Sequence, residues 1–215
     1  MSIKNIFFDF DGVLAESVHV KTQAYYDMYL PYGKEIAEKV VAHHQANGGV
    51  SRFEKFKIYH LEHLGIEITQ LQLDDLAQQY SELVIEKVVN SPEIDGASEF
   101  LEDFSGELKF WIITGTPTAE IEIITERRGI KHYFVELCGS PTKKWEWTEY
   151  LIEKYSLNRE EILFLGDAMS DYKAAQISKL DFALRDYEET YELFKDYDVL
   201  KFTDFYDLQN KLKLK

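Results

Sequence analysis

Ile3-Lys4-Asn5-Ile6-Phe7-Phe8-Asp9-Phe10-Asp11-Gly12-Val13-Leu14 is the stretch that decides the fold of this chain. Residues 3–10 read as an apolar, β-prone strand, broken by Asp9-Phe10-Asp11-Gly12. Asp9 and Asp11 lie two apart on an extended segment, so their carboxylates point the same way. That pairing is unfavourable without a cation nearby. Two roles account for it: Asp9 as nucleophile and metal ligand, Asp11 as general acid and base. A turn that happens to use Asp and Gly is the plainer account of the same residues.

Outward from this strand, residues 16–90 read as helical. Ser17–Leu30 and Glu35–Ala46 form two helices, stopped near Pro31 and Gly33 and at Asn47-Gly48-Gly49. A third opens on Ser51-Arg52-Phe53-Glu54, a capping box in which Ser51 and Glu54 each satisfy an orphan backbone donor. A fourth covers Thr69–Val89, with Leu73, Leu76, Ala77, Tyr80, Leu83, Val84 and Val88 at helical spacing.

After Ser91-Pro92 the pattern changes to alternating strands and helices. Strands are expected at Leu108–Thr114, Tyr133–Cys138, Ile162–Gly166, Asp181–Leu184 and Val199–Phe202, with a final helix running to the C-terminus. Alternation of this kind implies an α/β fold with a doubly wound, mainly parallel sheet and right-handed crossovers. Residues 1–15 and 91–215 therefore form the expected α/β core, and residues 16–90 an all-helical insert. No internal repeat or low-complexity tract interrupts this plan.

Three further clusters fall at expected strand ends, where open α/β sheets carry their sites. In Ile112-Ile113-Thr114-Gly115-Thr116-Pro117, Thr114 closes a buried strand, and Thr116-Pro117 reads as an N-cap followed by proline at the first helical position. A strand-end hydroxyl beside free amides, Gly115 included, suits a phosphoryl group; a capped helix and nothing more suits the same residues. Lys143 and Lys144 precede the next helix, where one of them can neutralise phosphate oxygens; a solvated lysine pair is the commoner account of such a dipeptide. Phe164-Leu165-Gly166-Asp167-Ala168-Met169-Ser170-Asp171 runs a strand into Asp167, with Asp171 one turn along the following helix. Carboxylates suit a hard cation such as magnesium, and equally an acidic first turn stabilised by the helix dipole. Four such signals in order, each ending a strand of one sheet, make coincidence a poor account.

Composition narrows the function class. The 215 residues include 45% hydrophobic positions, ample for a packed core, and a single cysteine, which fits a reducing compartment. A formal charge of −15 argues against nucleic acid, whose phosphates need clustered Lys and Arg. The apolar run near the N-terminus is too short for a signal peptide or a membrane span. A soluble, cytoplasmic protein with no membrane partner is expected; oligomeric state is not written in the residues.

The motifs Asp9-x-Asp11-Gly12 and Gly166-Asp167-x-x-x-Asp171, in this order, resemble those of the haloacid dehalogenase-like superfamily, specifically its phosphatases with a helical cap inserted after the first strand. The resemblance covers essentially the whole chain. It implies that Asp9 attacks phosphorus, that Asp11 protonates the leaving group and then activates water, and that Mg2+ is held by Asp9, the Asp11 carbonyl, Asp167 and Asp171. It gives Thr114 and Gly115 to the phosphoryl group. Lys144 is the better match for the family lysine, with Lys143 as alternative; Trp145 replaces the proline often found next. The second aspartate argues against dehalogenation, which belongs to a branch lacking it.

Gly49-Val50-Ser51-Arg52 resembles the cap segment of β-phosphoglucomutase, whose arginine holds the non-transferring phosphate of a sugar bisphosphate. Lys21, however, stands where that group has a histidine, and its lysine near Pro117-Thr118 is missing. The expectation is a magnesium-dependent phosphatase of a small phosphorylated metabolite, with Arg52 and Lys21 as candidate substrate contacts. A sugar phosphomutase is the alternative, and a non-catalytic phosphate-binding module a more distant one.

Overall fold

The computed structural model describes residues 3–214, so the outermost residues of the expected core, 1–2 and 215, lie outside it. Its frame is a six-stranded sheet of β1 (Asn5–Phe8), β2 (Lys109–Pro117), β3 (Phe134–Ser140), β4 (Ile162–Gly166), β5 (Asp181–Arg185) and β6 (Leu200–Phe202). The spatial order is β3-β2-β1-β4-β5-β6, and every pairing is parallel. The chain winds outward from β1 on one side, then returns to β1's other edge. The order therefore reverses between β1 and β4, which is where a doubly wound sheet opens a crevice at its carboxyl ends.

Strand periodicity divides the core between two faces. Ile6 and Phe8 point one way, packing with Phe110, Ile112 and Leu165. Phe7 points the other, with Trp111, Ile113 and Phe164. The first face is covered by α5 (Ala97–Phe104), α6 (Thr118–Arg127) and α10 (Phe205–Leu212), and the second by α7 (Lys144–Tyr155) and α8 (Met169–Ile177), with α9 (Glu188–Phe194) following β5.

Between β1 and α5 lie α1 (Val18–Tyr29), α2 (Lys34–Ala46), α3 (Arg52–Ile58), a π-helical turn at Tyr59–Leu64, and α4 (Gln70–Val89). Tyr25, Tyr29, Phe56, Tyr59 and Tyr80 meet edge to face or tilted inside this bundle, with Tyr25 and Tyr80 centroids 4.4 Å apart. Their apolar cluster is continuous with the first face of the sheet.

Three local expectations are corrected. Ser51 caps α3 by accepting from Phe53 N, but Glu54 is exposed and does not complete the box. The reciprocal box forms instead at α4, where Thr69 accepts from Gln72 N and Gln72 accepts from Thr69 N. In the second motif, Thr116 is not a helix cap: β2 continues through Pro117, which pairs with Ser140, and α6 starts at Thr118. The Pro117 backbone (φ −56°, ψ 143°) is extended, and the Thr116 hydroxyl is engaged elsewhere. The last helix stops at Leu212, one turn short of the expected end.

Candidate active site

Asp9 leaves the end of β1 with its amide still bonded to Leu165 O at 2.9 Å, so the sheet itself aims the side chain. Oδ1 accepts from Phe10 N at 2.7 Å, and Oδ2 lies 2.8 Å from Lys144 Nζ. Lys144, the first residue of α7, also donates to Asp171 Oδ1 at 2.5 Å. Lys143 is exposed, so Lys144 is the lysine brought to the carboxylates. Asp167 sits just past β4, and Asp171 in the first turn of α8 accepts from Ala168 N at 3.1 Å. Asp171 thus caps its helix and faces the cluster at once. These contacts hold only because two glycines lack side chains. A Cβ on Gly12 would stand 2.0 Å from Asp167 Oδ2, and one on Gly166 2.2 Å from Asp171 Cβ.

A second group forms around Asp11. Ser17 donates to Asp11 Oδ1 at 2.6 Å, Thr116 donates to Oδ2 at 3.1 Å, and Lys21 both pairs with Oδ2 and donates to Thr116 Oγ1 at 2.6 Å. Burial works to raise the Asp11 carboxyl, but the Lys21 charge and these three hydrogen bonds outweigh it and hold it below its ordinary value. The ionised form of Asp11 is therefore favoured before an anionic ligand arrives. Thr114 is buried in β2, its hydroxyl accepting from Thr116 N at 3.3 Å.

The Gly48-Gly49 loop between α2 and α3 roofs this floor. Ser170 donates to Gly48 O at 3.1 Å, and a Cβ on Gly115 would meet Gly49 O at 2.7 Å. Beneath the roof lies a cavity of about 310 Å³, lined on one side by Asp9, Asp11 and Asp167 and on the other by His44, Arg52 and Lys55. Arg52 reaches the cavity wall, but its guanidinium is committed: it makes two bonds to Glu120 of α6, at 2.8 and 2.7 Å, and one to Ser81 at 2.7 Å.

The acidic cluster fits a hard cation. One oxygen from each of Asp9, Asp167 and Asp171 can come within 4.8 Å of the others. Burial, then the neighbouring Asp9 and Asp171 charges, push Asp167 well above the carboxylate range. Asp171 rises to about 7, mainly through burial and the Asp9 charge, although Lys144 pulls it down. Three buried carboxylates around one lysine leave negative charge that a divalent, oxygen-preferring ion would relieve.

Residues 3–178 match the profile of the haloacid dehalogenase-like hydrolases. The chain belongs to that family. Among its relatives, a phosphoglycolate phosphatase of Vibrio cholerae is 31% identical over 70 residues, covering 30% of this chain and 31% of that protein. The chain thus aligns to about a third of that relative's length. A phosphoglycolate phosphatase of Psychrobacter arcticus is 25% identical over 186 residues, covering 82% of this chain and 80% of that one. A solved structure described as a predicted phosphatase from Clostridium acetobutylicum superposes with a TM-score of 0.78 at 17% identity, over 99% of each chain, which is a likeness of fold.

Some residues of this hydrolase's site carry no readable signal in the sequence. Tyr187, after β5, donates to Asp167 Oδ2 at 2.7 Å, and Arg185 stacks on its ring at 4.5 Å while bonding Glu16 at 2.6 Å. A lone tyrosine past a short strand looks like any surface aromatic. Thr116 was legible only as a cap, Gly48 only as a helix breaker, and Gly49 as a breaker that also opens a cap-like segment. Among the described residues, no helix is long and apolar enough to cross a membrane.

Proposed function

We propose that the chain is a magnesium-dependent phosphatase that hydrolyses a small phosphorylated metabolite through an aspartyl-phosphate intermediate on Asp9. Residues 1–15 and 91–215 would serve as the catalytic core and 16–90 as the cap, in the cytoplasm, without nucleic-acid or membrane partners. The observation that carries this reading is the pair of carboxylates with opposite preparation. Asp9 is held by Lys144 and the Phe10 amide toward the cavity, and Asp11 is held two residues on in its own donor set.

In the first step Asp11, having taken up the proton that a monoanionic phosphate ester carries in, gives it to the leaving oxygen as an Asp9 carboxylate oxygen attacks phosphorus and the ester P–O bond breaks. The anionic phosphoryl group raises Asp11's proton affinity as it arrives, against the pull of Lys21. In the second step Asp11 takes a proton from water, whose oxygen attacks phosphorus and releases Asp9 and inorganic phosphate. Lys144 offsets the repulsion between Asp9 and the phosphoryl oxygens, and Thr114 with the Gly115 amide supplies donors to them. Mg2+, held by Asp9, Asp167, Asp171 and the Asp11 carbonyl, would supply further charge neutralisation on the phosphoryl group.

The phosphatase reading is favoured over the phosphomutase by Arg52. The residue that a mutase would use to grip a second phosphate is occupied by Glu120. Asp11 favours either enzyme over a binding module, which has no use for an acid and base. The test is acid-quenched labelling with a phosphate ester. Wild type should acquire an acid-stable, base-labile phosphoryl group and release phosphate, and Asp9→Asn should do neither, slowed by about a thousandfold or more. Wild-type turnover by folded Asp9→Asn would refute the covalent route. Conversion of a hexose 1-phosphate to the 6-phosphate, primed by a bisphosphate and with little phosphate released, would restore the mutase.

A further inference from the structure

Lys55 of α3 stands apart from the other cations of the cavity. Lys21 is paired with Asp11 and Arg52 with Glu120. Lys55 is 2% exposed and lines the same cavity, yet among the described residues no carboxylate lies within 4 Å of its Nζ. Its polar partner is the ring of His44, with Nζ 2.8 Å from Nδ1, and its nearest aromatic face is Tyr25, 5.7 Å from the centroid.

Burying an ammonium without a counter-charge is unfavourable, and packing alone would be better served by leucine or methionine. Burial and then the charges of Lys21 and Lys144 bring the Lys55 pKa down to about 7. Those two lysines hold Asp11 and Asp9, so Lys55 looks across the cavity at the reacting end. His44 is pushed down to about 2 by burial and Lys55, and so stays neutral. It accepts from Lys55 and orients the ammonium without cancelling its charge. A buried, oriented lysine without a counter-charge, opposite the phosphoryl site, is a receptor for an anion, whose arrival favours the ammonium form.

We propose that Lys55, oriented by His44, binds a second anionic group carried on the alcohol portion of the substrate, and that this contact selects doubly anionic phosphate esters over neutral ones. The inference rests on the phosphatase reading and names its substrate class: a small phosphate monoester bearing a carboxylate or a second phosphate. The cavity's size holds that molecule to a small metabolite. Lys55 is a specificity-determining residue here, not a participant in bond breaking.

The experiment compares three esters on one two-carbon skeleton: phosphoglycolate, 2-hydroxyethyl phosphate and ethylene glycol bisphosphate. They are assayed with magnesium in wild type, Lys55→Met and Lys55→Gln. Wild type should favour one of the two doubly anionic esters in kcat/KM, and which one identifies carboxylate or phosphate. Either variant should lower the anionic-to-neutral ratio by about 10- to 100-fold, the weight of one charge-assisted hydrogen bond. The Tm of Lys55→Met should be unchanged or raised, because an uncompensated buried charge has gone; a structural lysine would instead lower it.

A ratio within twofold of wild type in a folded variant overturns the proposal. So does a wild type that hydrolyses the neutral ester as readily as the others, which would leave the phosphatase reading standing. If no ester turns over, the phosphatase reading fails, and calorimetric binding of phosphoglycolate decides the subsite alone. Binding weakened tenfold by Lys55→Met upholds it, and equal binding sinks it.

Discussion

Removing Arg52 should cost stability before it costs anything else. The guanidinium is 4% exposed and spends both ends of its fork on Glu120, whose side chain is 12% exposed. It also bonds Ser81 and lies 4.6 Å over the Tyr80 ring. In Arg52→Met the methylene packing is largely kept, so the change isolates the charge. Glu120 is then left with the Ser81 hydroxyl in a wall that admits little water. Breaking a buried pair from one side costs roughly 3–5 kcal/mol, and the slight exposure of Glu120 places this case near about 3 kcal/mol. Glu120→Gln strands Arg52 in turn. The double variant Arg52→Met/Glu120→Gln removes both charges, so its loss should be smaller than the sum of the singles by about 2 kcal/mol. Urea unfolding of the four proteins, followed by circular dichroism, measures the cycle. A loss below about 1 kcal/mol in Arg52→Met, with singles that add to within about 0.5 kcal/mol, would refute the reasoning. Arg52 would then be free for a ligand, and the mutase reading would recover its anchor.

Three other outcomes follow from the geometry. Gly49→Ala places a Cβ 2.1 Å from Ser170 Oγ and 3.1 Å from Lys144 Nζ at a φ of +70°, so urea unfolding should show a loss of about 1–2 kcal/mol or more, with a raised KM for phosphate esters; wild-type values of both would deny the roof its role. Phosphate release should stop on exhaustive chelation and return with Mg2+, and Asp167→Asn should raise the half-saturating Mg2+ concentration by about tenfold or more; normal turnover by chelated protein would remove the metal from the scheme. Lys55, at about 7, loses its charge as pH rises, while His44, at about 2, stays neutral, Lys144 is held cationic by Asp171 and Asp9 against its burial, and Tyr25 is pushed up by burial beyond this range. The preference for a doubly anionic ester over a neutral one should therefore fall between pH 6 and 8 in wild type and stay level in Lys55→Arg. A preference that is flat in both would contradict the assignment.

The centre of the sheet was legible because three strands carry a short apolar run that meets a chemical residue: Phe8 before Asp9, Ile113 before Thr114, Leu165 and Gly166 before Asp167. Periodicity located α4 to within a residue, since twenty positions average out local ambiguity. The start of α6 was missed because Thr116-Pro117 satisfies two rules at once. As a dipeptide it is a cap with its proline, and as an extended pair it continues β2, which tertiary contact with Asp11 and Ser140 selects. Asp9, Asp11, Asp167, Asp171 and Lys144 were legible as members of a set. Arg52 was legible as a charge at a helix start, but not its partner, because Glu120 lies 68 residues away on an element of another layer. Tyr187 was opaque for the same reason: it acts through a neighbour that only the folded chain supplies.

The acidity of the chain and the anionic character of the proposed substrate are reconciled within the cavity rather than over the surface. With Arg52 and Glu120 cancelling, and the half-exposed Glu189 screened by solvent, four carboxylates (Asp9, Asp11, Asp167, Asp171) face three lysines (Lys21, Lys55, Lys144), counted as ammonium groups. That balance leaves one negative charge before any phosphoryl group enters, and burial answers it by raising Asp167 toward its neutral form. A dication in the acidic cluster would make the balance positive by one and release that proton requirement, so metal and substrate should favour each other's binding. Lys55 lies outside this exchange, since its neighbour is a neutral histidine and no carboxylate of the described residues competes for it. Its charge therefore remains available to whatever the leaving group carries. The floor of the cavity would respond to the phosphoryl group common to all candidate substrates, and α3 to the part that distinguishes them.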